Sequence, residues 1–361
     1  MRFLGLIPQK FLGIDIGTSF IKVVELSSWA GRRNLENYGE VSAEFLYKKP
    51  FRTFEKSTLL LSTKDVSRAI KAIIEEANIK SQKVAFSIPD FSSFFTTFEL
   101  PSMSKEEVSQ AVRAEARRHV PLPLAEVILD WQIINRPGRN KAENLEILLV
   151  AVPNEVVNQY QNIATNLNLK LSVLEAEVFG LVRSLVKSEE KGIVGLVDIG
   201  ARSTSCSIIE KRVLKVSRSF DISGDSLTER ISKGLSVDYK KAEELKKKYG
   251  ILSLGGAGKE DENHVRDILI PLIDLIISEI DKIFMNFYLK EKKEVEKIIL
   301  AGGNAFLPGL FEYFKDHFTK REVVIANPFS KIFFPPILDK TLKEIGPSYA
   351  IAVGMALRGV E

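Results

Sequence analysis

The chain contains two copies of an Asp-Ile-Gly tripeptide, each lying between two apolar, strand-forming runs. One copy begins at Asp15 in FLGIDIGTSFIKVVEL, and the other begins at Asp198 in GIVGLVDIGARSTSCSII. Gly17 and Gly200 are expected to take the positive φ of a tight turn, which lets backbone N–H groups approach an anion such as phosphate. Because two carboxylates and a polyphosphate repel one another, the pair predicts Mg²⁺ between them, held by Asp15 and Asp198 through water.

Two further groups of residues have the chemistry of a nucleoside site. In AGGNAFLPG, residues 301–309, Gly302 and Gly303 leave room for a flat ring or a sugar-phosphate against the backbone. In AEELK, Glu243 and Lys246 are three positions apart on a predicted helix and could grip a ribose and an adenine. Each group has a plainer alternative, which is a structural turn for the glycines and a solvated charged face for the helix.

Hydrophobic periodicity gives the elements that must position these residues. Strand patterns continue to about residue 54, and the helix KDVSRAIKAIIEEANI follows. The block 80–172 then has strand pairs followed by helices twice over, which predicts a small inserted α/β domain. Ser104 and Glu107 form a capping box at the start of its first helix. The elements predicted for this block are strands at KVAFSIP and FFTTFELP, the helix SKEEVSQAVRAEARRHV, strands at EVILDWQII and NLEILLVAV joined by an RPGRN turn, a helix to about residue 167, and the strand KLSVLEA.

The rest of the chain repeats the theme of a strand hairpin followed by helices. A long helix is expected at about 264–290, and a terminal helix is expected to begin near Pro347. This repetition predicts two related lobes with a cleft between them. The predicted domains are a first lobe at 1–79, the insertion at 80–172, and 173–361, which contains a connecting helix, the second lobe and a C-terminal helix that returns to the first lobe.

Composition narrows the class of partner and the compartment. The 51 basic and 47 acidic residues give a net charge of +4, which is no signature of nucleic-acid binding. The single cysteine, Cys206, lies in an apolar strand pattern and fits a reducing compartment such as the cytoplasm. No apolar run reaches the length of a membrane span, since ILIPLIDLIISEI is interrupted by Pro271, Asp274 and Glu279.

The order of the motifs along nearly the whole chain resembles that of the actin-like ATPase superfamily. Within that superfamily, the chain most resembles the PilM family of type IV pilus assembly, which is related to the division protein FtsA. The resemblance implies an α/β, ribonuclease H-like fold of two lobes with an inserted small α/β domain, and ATP and Mg²⁺ as cofactors. The segments that carry it are GIDIGTSFIKVVEL, LPSMSKEEVSQAVRAEARRHVPLPLAEVILDWQII, VLEAEVFGLVRSL, VDIGARS, ISGDSLTERI, KKAEELK, LAGGNAFLPGL and YAIAVGMALRG.

The same resemblance implies a set of nucleotide-binding residues. They divide among two phosphate motifs, a glycine beside the phosphate chain, an adenosine-side helix and an adenosine motif. In that order they are Asp15, Gly17, Thr18 and Ser19, with Lys22 as a counter-charge; Asp198, Gly200, Ala201, Ser203 and Thr204; Gly224; Glu243 and Lys246; and Gly302, Gly303 and Asn304.

Catalytic residues are harder to assign. In the superfamily an acid or amide on the connecting helix often orients the attacking water, and Glu175 and Glu177, at the expected start of that helix, are the candidates here. No glutamine or histidine stands there, and His119, His264 and His317 lie in segments far from the motifs. The expectation is therefore an ATP-binding protein with at most slow ATPase activity.

The resemblance implies a peptide partner for the inserted domain. PilM-like proteins bind the cytoplasmic amino-terminal tail of the inner-membrane protein PilN, and other platform proteins or a second copy of the chain are further candidates. Phe94, Phe95 and Phe98 could line the groove, although at least two of them are expected in a core. Since the chain stops at ALRGVE, without the amphipathic tail of FtsA, contact with the inner membrane is expected through a partner.

Two alternatives remain open at this point. One is an FtsA-like division protein that polymerises at the membrane. The other is a small-molecule kinase of the same superfamily, which would need an aspartate base beside a polar sugar pocket, and no segment of the insertion resembles one.

Overall fold

The computed structural model describes residues 9–43, 52–55, 58–135, 144–252 and 260–361. The first eight residues of the amino-terminal arm and the predicted RPGRN turn lie outside the described residues. Within these ranges, no helix combines the length and the apolar character that crossing a membrane requires.

The described residues form strands and helices in an order close to the predicted one. The strands are β1 Gln9–Ile16, β2 Phe20–Trp29, β3 Arg32–Ser42, β4 Arg52–Glu55, β5 Thr58–Leu61, β6 Lys83–Ile88, β7 Phe94–Leu100, β8 Val127–Asn135, β9 Leu145–Pro153, β10 Lys170–Ala176, β11 Ile193–Ile199, β12 Thr204–Glu210, β13 Val213–Phe220, β14 Lys297–Ala301 and β15 Glu322–Ile325. The α-helices are α1 Thr63–Glu76, α2 Lys105–His119, α3 Asn154–Asn166, α4 Glu177–Leu185, α5 Gly224–Leu235, α6 Tyr239–Tyr249, α7 Glu260–Glu291, α8 Leu310–His317 and α9 Asp339–Val360.

Two five-stranded sheets have the same strand order. The first is β10-β6-β1-β2-β3, and the second is β15-β14-β11-β12-β13. In each sheet the central strand, β1 or β11, pairs antiparallel with the strand that follows it and parallel with the strand on its other side. The two tripeptides end these two central strands, so the predicted repeat is a repeat of a whole sheet and of its lobe.

Helices α4 and α9 form the layer between the two sheets. Helix α9 packs on β1, β2, β6 and α4, so it returns to the first lobe as predicted. The surrounding core takes side chains from both sheets, such as Val24 and Val194. Helix α9 begins two turns before the predicted start near Pro347, because the burial of Leu342 stabilises these turns and Pro347 is accommodated inside the helix.

The other helices cover the outer faces of the two sheets. Helices α1 and α3 cover the first sheet, and α5 to α8 cover the second. In α1 the predicted apolar stripe is buried at Val66, Ala69, Ile70 and Ile73. Burial of such stripes against a sheet gives each lobe its own core.

The inserted region has a third sheet, in the antiparallel order β7-β9-β8, which shares a core with α2. Helix α2 begins with the predicted capping box, in which Ser104 N donates to Glu107 Oε2 at 2.8 Å. Strands β6 and β10, at the two ends of the predicted block 80–172, pair with each other in the first sheet instead. On sheet membership, the part with its own sheet is 94–153. Periodicity predicts a strand but not the sheet that it joins.

Candidate functional site

The two Asp-Ile-Gly turns have matching backbone geometry. Gly17 N donates to Phe20 O at 2.9 Å, and Gly200 N donates to Ser203 O at 3.0 Å. The expected positive φ is wrong for both glycines, since neither is among the residues with positive φ. Glycine is required there by close approach, because a Cβ on Gly17 would lie 2.7 Å from Phe20 O and one on Gly200 would lie 3.0 Å from Ser203 O.

The structure brings the acidic residues of the two turns close together. Asp15 is buried near the end of β1, where its Oδ1 accepts a 2.7 Å hydrogen bond from Ser87 Oγ. Asp198 is only partly buried near the end of β11. Burial and the charge of Asp15 raise the pKa of Asp198 to about 7, while Lys22, which is the cross-strand partner of Asp15, opposes this rise. Asp15, Lys22 and Asp198 therefore converge between the lobes.

These residues fit a cation that keeps its water. Among the described residues, no cluster of three or more acidic, histidine or cysteine side chains could hold a metal ion directly. A small hard cation such as Mg²⁺ commonly binds through one or two carboxylates, phosphate oxygens and several waters. The raised pKa of Asp198 is the electrostatic cost of placing it near Asp15, which a divalent cation would relieve.

The second turn is held in place by the predicted adenosine motif. Asn304 Nδ2 donates to Ile199 O at 3.2 Å and to Gly200 O at 3.0 Å. Gly224 N also donates to Gly200 O at 3.0 Å, and a Cβ on Gly224 would collide with the Asn304 amide. Asn304 and Gly224 thus position the second phosphate turn.

The two glycines of the adenosine motif have different environments. Gly302 has a φ of +91°, and a Cβ there would collide with Asp198 Oδ1. Gly303 is exposed and would meet nothing within 4 Å, which leaves open space at this end of the cleft. Gly302 is therefore required by the fold, whereas Gly303 borders free space.

Glu243 and Lys246 belong to an internal polar network. The Lys246 ammonium is buried and lies 2.7 Å from Glu243 Oε2, 2.8 Å from Thr228 Oγ1 and 3.0 Å from Gly224 O. Burial lowers the pKa of Lys246, although the Glu243 carboxylate opposes this. The ammonium therefore holds α6 against α5 with protein partners alone. Glu243 is half-buried and keeps an edge toward solvent.

The remaining predicted phosphate residues surround the two turns. Thr204 Oγ1 is used internally, since it donates to Ile222 O at 2.6 Å. Ser19 and Ala201 use their carbonyl oxygens for Ala43 N and Asp225 N. Thr18 is buried, whereas Ser19, Ala201 and Ser203 are partly exposed.

The two candidate catalytic glutamates lie in different elements. Helix α4 begins at Glu177, and Glu175 lies in β10 instead of in the helix as expected. Glu175 is neutralised by Arg183 at 2.9 Å and by Arg358 at 2.9 Å, so it has a structural partner on each side. Glu177 Oε2 accepts from Asp90 N at 3.3 Å.

Asp90 is a buried acidic residue that sequence reasoning missed. It begins the short turn after β6, and its Oδ1 accepts a 3.1 Å hydrogen bond from Val178 N in the first turn of α4. Burial and then the charge of Asp198 raise the pKa of Asp90 to about 7. The only signal in the sequence was the Pro-Asp pair after a strand, which also occurs in ordinary turns.

The three phenylalanines of β7 point to opposite faces of the inserted sheet. Phe94 and Phe98 pack in the core with α2, as expected for at least two of the three. Phe95 contacts Phe179 of α4 in a T-shaped arrangement and lines a cavity of about 330 Å³ between the inserted sheet and the second lobe. The Lys215–Glu146 salt bridge, at 2.7 Å, lies in the wall of this groove.

Comparison with known proteins agrees with this architecture. Among solved structures, the chain is similar to a PilM–PilN type IV pilus biogenesis complex, with a TM-score of 0.82 and 24% identity over 97% of this chain and 98% of that chain. It is also similar to MreB 5 of Spiroplasma citri bound to AMPPNP, with a TM-score of 0.54 and 12% identity over 97% of this chain and 95% of that one. The fold is thus that of the actin-like ATPases.

Curated relatives include the cell division protein FtsA of Streptococcus pneumoniae, which is 23% identical over 361 residues, or 88% of this chain and 77% of the relative. FtsA of Enterococcus faecalis is 23% identical over 89% of this chain and 82% of the relative. The family described as type IV pilus assembly protein PilM matches residues 13–360, nearly the whole chain. The chain therefore belongs to the PilM family of type IV pilus assembly proteins.

Proposed function

We propose that this protein binds ATP with Mg²⁺ in the cleft between its two lobes and acts as a nucleotide-held scaffold in type IV pilus assembly. The observation that carries the proposal is the convergence of Asp15 and Asp198, with Lys22 beside them, from two matching turns of two matching sheets. The similarity of the fold to MreB 5 structures bound to AMPPNP and to ADP supports a nucleotide as the ligand.

Each predicted residue has a distinct part in this proposal. Thr18, Ser19, Ala201 and Ser203 would offer backbone N–H groups or hydroxyls to phosphate oxygens, and Lys22 would add a positive charge. Bound Mg²⁺ would neutralise the polyphosphate beside Asp15 and Asp198. Glu243 and the open space at Gly303 would border the nucleoside. Glu175 is occupied by two arginines, so Glu177 remains the candidate to orient water, and hydrolysis is expected to be slow at most.

Isothermal titration with ATP tests the site directly. In the presence of Mg²⁺, Asp15→Asn and Asp198→Asn should each weaken ATP binding by roughly ten- to a hundredfold, because each removes a charged contact of the cation site. The matched control is Asp316→Asn, which removes one negative charge from an exposed position on α8. Unchanged ATP affinity in both cleft variants would refute the proposal.

We further propose that the partner is the amino-terminal cytoplasmic peptide of a PilN-like inner-membrane protein, which would give this protein an indirect, peripheral attachment to the membrane. The solved PilM–PilN complex, with a fold similar to this chain, supports a partner of this class. The inserted sheet has two edge strands, β7 and β8, and β8 carries the half-exposed Ile128. An extended peptide can add to such an edge through main-chain hydrogen bonds.

Hydrogen exchange with a synthetic PilN-like tail peptide tests the partner and its position. Protection should appear on β7 or β8 of the inserted sheet and should be lost with a scrambled peptide. Protection confined to the second lobe, or none at all, would contradict docking on the inserted domain. The FtsA-like alternative is tested in the same preparation by electron microscopy, where filaments formed with ATP on bare lipid would favour polymerisation.

A further inference from the structure

The carboxylate of Asp90 is only half satisfied by the protein. Its Oδ1 accepts from Val178 N at 3.1 Å, and its backbone N–H donates to Glu177 Oε2, so Asp90 and the start of α4 cap each other. Within the described part of the chain, Asp90 Oδ2 has no hydrogen-bond partner, although the residue is only 5% exposed. A buried carboxylate oxygen without a donor is costly, so an absent group is expected to supply one.

Asp90 lies at the same sheet edge as the first Asp-Ile-Gly turn. Strands β1, β6 and β10 are parallel neighbours, so their carboxyl ends meet at one edge. Ser87, in β6, already reaches Asp15 with its hydroxyl at 2.7 Å, and Asp90 follows two residues after that strand. The charge of Asp198 is felt at Asp90, where it adds to burial in raising the pKa. Asp90 is therefore the third acidic side chain near the cleft between Asp15 and Asp198.

We propose that Asp90 is a third acidic contact for the hydrated Mg²⁺ of the nucleotide, with Oδ2 accepting a hydrogen bond from a metal-bound water. This inference rests on the proposed binding of Mg·ATP. Direct coordination is not what the described residues offer, since they contain no cluster of three ligands at metal-binding distance. A water on Mg²⁺ is a strong donor, and an ionised carboxylate oxygen is an acceptor only, so the two match.

The position of Asp90 gives this contact a structural consequence. The residue caps the first turn of α4 and begins the segment that leads into β7, and its turn contacts β13 of the second lobe. A cation that orders Asp90 would therefore act at the junction of the first lobe, the second lobe and the inserted sheet. Loss of the charge is expected to weaken the response to Mg²⁺ while leaving the other nucleotide contacts in place.

The test is Asp90→Asn, which keeps the oxygen that accepts from Val178 N but removes the negative charge. The fluorescent analogue mant-ATP is titrated with each protein at increasing Mg²⁺, and again in EDTA. Asp90→Asn should need roughly three- to tenfold more Mg²⁺ for half-maximal binding, while its affinity in EDTA stays within about twofold of the wild type. Electron paramagnetic resonance of Mn²⁺ bound with ATP should report the same loss of cation affinity without any turnover.

Two comparisons keep the outcomes separate. Asp316→Asn controls for the loss of one surface charge and should match the wild type. Asp90→Ser, which is also uncharged and keeps a hydroxyl, should repeat the effect if Asp90→Asn does not fold. A wild-type protein that binds no Mg·ATP would overturn the nucleotide site itself. Wild-type binding with an unchanged Mg²⁺ requirement in both Asp90 variants would overturn this inference alone, as expected if Asp90 merely carries its own proton.

Discussion

Arg183 holds Glu175 in a salt bridge of 2.9 Å at the base of the layer between the two sheets. Arg183 lies on α4 and Glu175 on β10, and Arg358 of α9 reaches the second oxygen of the same carboxylate. Arg183 Nη1 also donates to Gly354 O at 3.0 Å. One carboxylate thus joins the connecting helix and the terminal helix to the first sheet, and it does so with mostly buried partners.

Glu175→Ala should lower the free energy of unfolding by about 2 to 3 kcal/mol, because it leaves the Arg183 guanidinium, 12% exposed, without its carboxylate. Urea unfolding at neutral pH without nucleotide measures the change. Glu155→Ala, which removes an exposed glutamate from the first turn of α3, is the control and should cost less than about 0.5 kcal/mol. Equal stability of the two variants would show that the buried pair adds nothing.

The crossing of α4 and α9 should tolerate no side chain at Gly354. A Cβ there would collide with the carbonyl group of Gly180, and backbone cannot move aside as a flexible side chain can. Gly354→Ala should therefore lower the free energy of unfolding by about 2 kcal/mol or more, measured by urea unfolding. Gly303→Ala has open space around the new methyl group and should unfold at the wild-type urea concentration. Wild-type stability of Gly354→Ala would contradict the close crossing.

Lys246→Met tests whether Lys246 is a structural residue. The substitution keeps an apolar stem but removes the buried ammonium from Glu243 and Thr228, and the melting temperature without nucleotide should fall with a loss of about 2 kcal/mol. Lys247→Met is the matched control, since Lys247 pairs with the same Glu243 at 3.2 Å but is 67% exposed. Exposed pairs contribute little, so it should change stability by less than about 0.5 kcal/mol. A larger effect at Lys247 would contradict this assignment.

Much of the fold follows from local patterns in the sequence. The stripe at Val66, Ala69 and Ile70, the capping box at Ser104 and the repeated Asp-Ile-Gly turns each depend on residues close in the chain, and each gave the observed element. The membership of β6 and β10 in the first sheet depends instead on strand pairing over long distances. Periodicity carries no information about such pairing.

The candidate site divides along the same line. That Asp15 and Asp198 meet could be predicted, because a repeated motif implies repeated sheets. That Lys246 is used internally could not, since its partners Gly224 and Thr228 belong to another helix. Asp90 escaped notice because its partner Val178 is far away in the chain and is a backbone amide, which any residue except proline could supply.

The titration of Asp198 gives the cleft a pH dependence of defined sign. Burial, then the charge of Asp15, raise its pKa to about 7 against the opposing charge of Lys22, whereas an aspartate in an unfolded chain titrates near pH 4. Between about pH 4 and pH 7 the folded protein therefore keeps a proton that the unfolded chain has lost. Raising the pH through this window lowers the free energy of unfolding. Asp90, whose pKa is raised in the same direction, adds to the effect.

Asp198→Asn should reduce this dependence, because the amide does not titrate. In EDTA without nucleotide, the free energy of unfolding of the wild type should fall between pH 5 and pH 8 by about 1 to 2 kcal/mol more than that of the variant. This is less than the full shift implies, since Asp198 is partly exposed and solvent screens it. Urea unfolding at each pH measures both curves, and Asp316→Asn should follow the wild type. Parallel curves for wild type and Asp198→Asn would mean that Asp198 is already ionised in the folded protein at pH 5, and that its proximity to Asp15 carries no electrostatic cost.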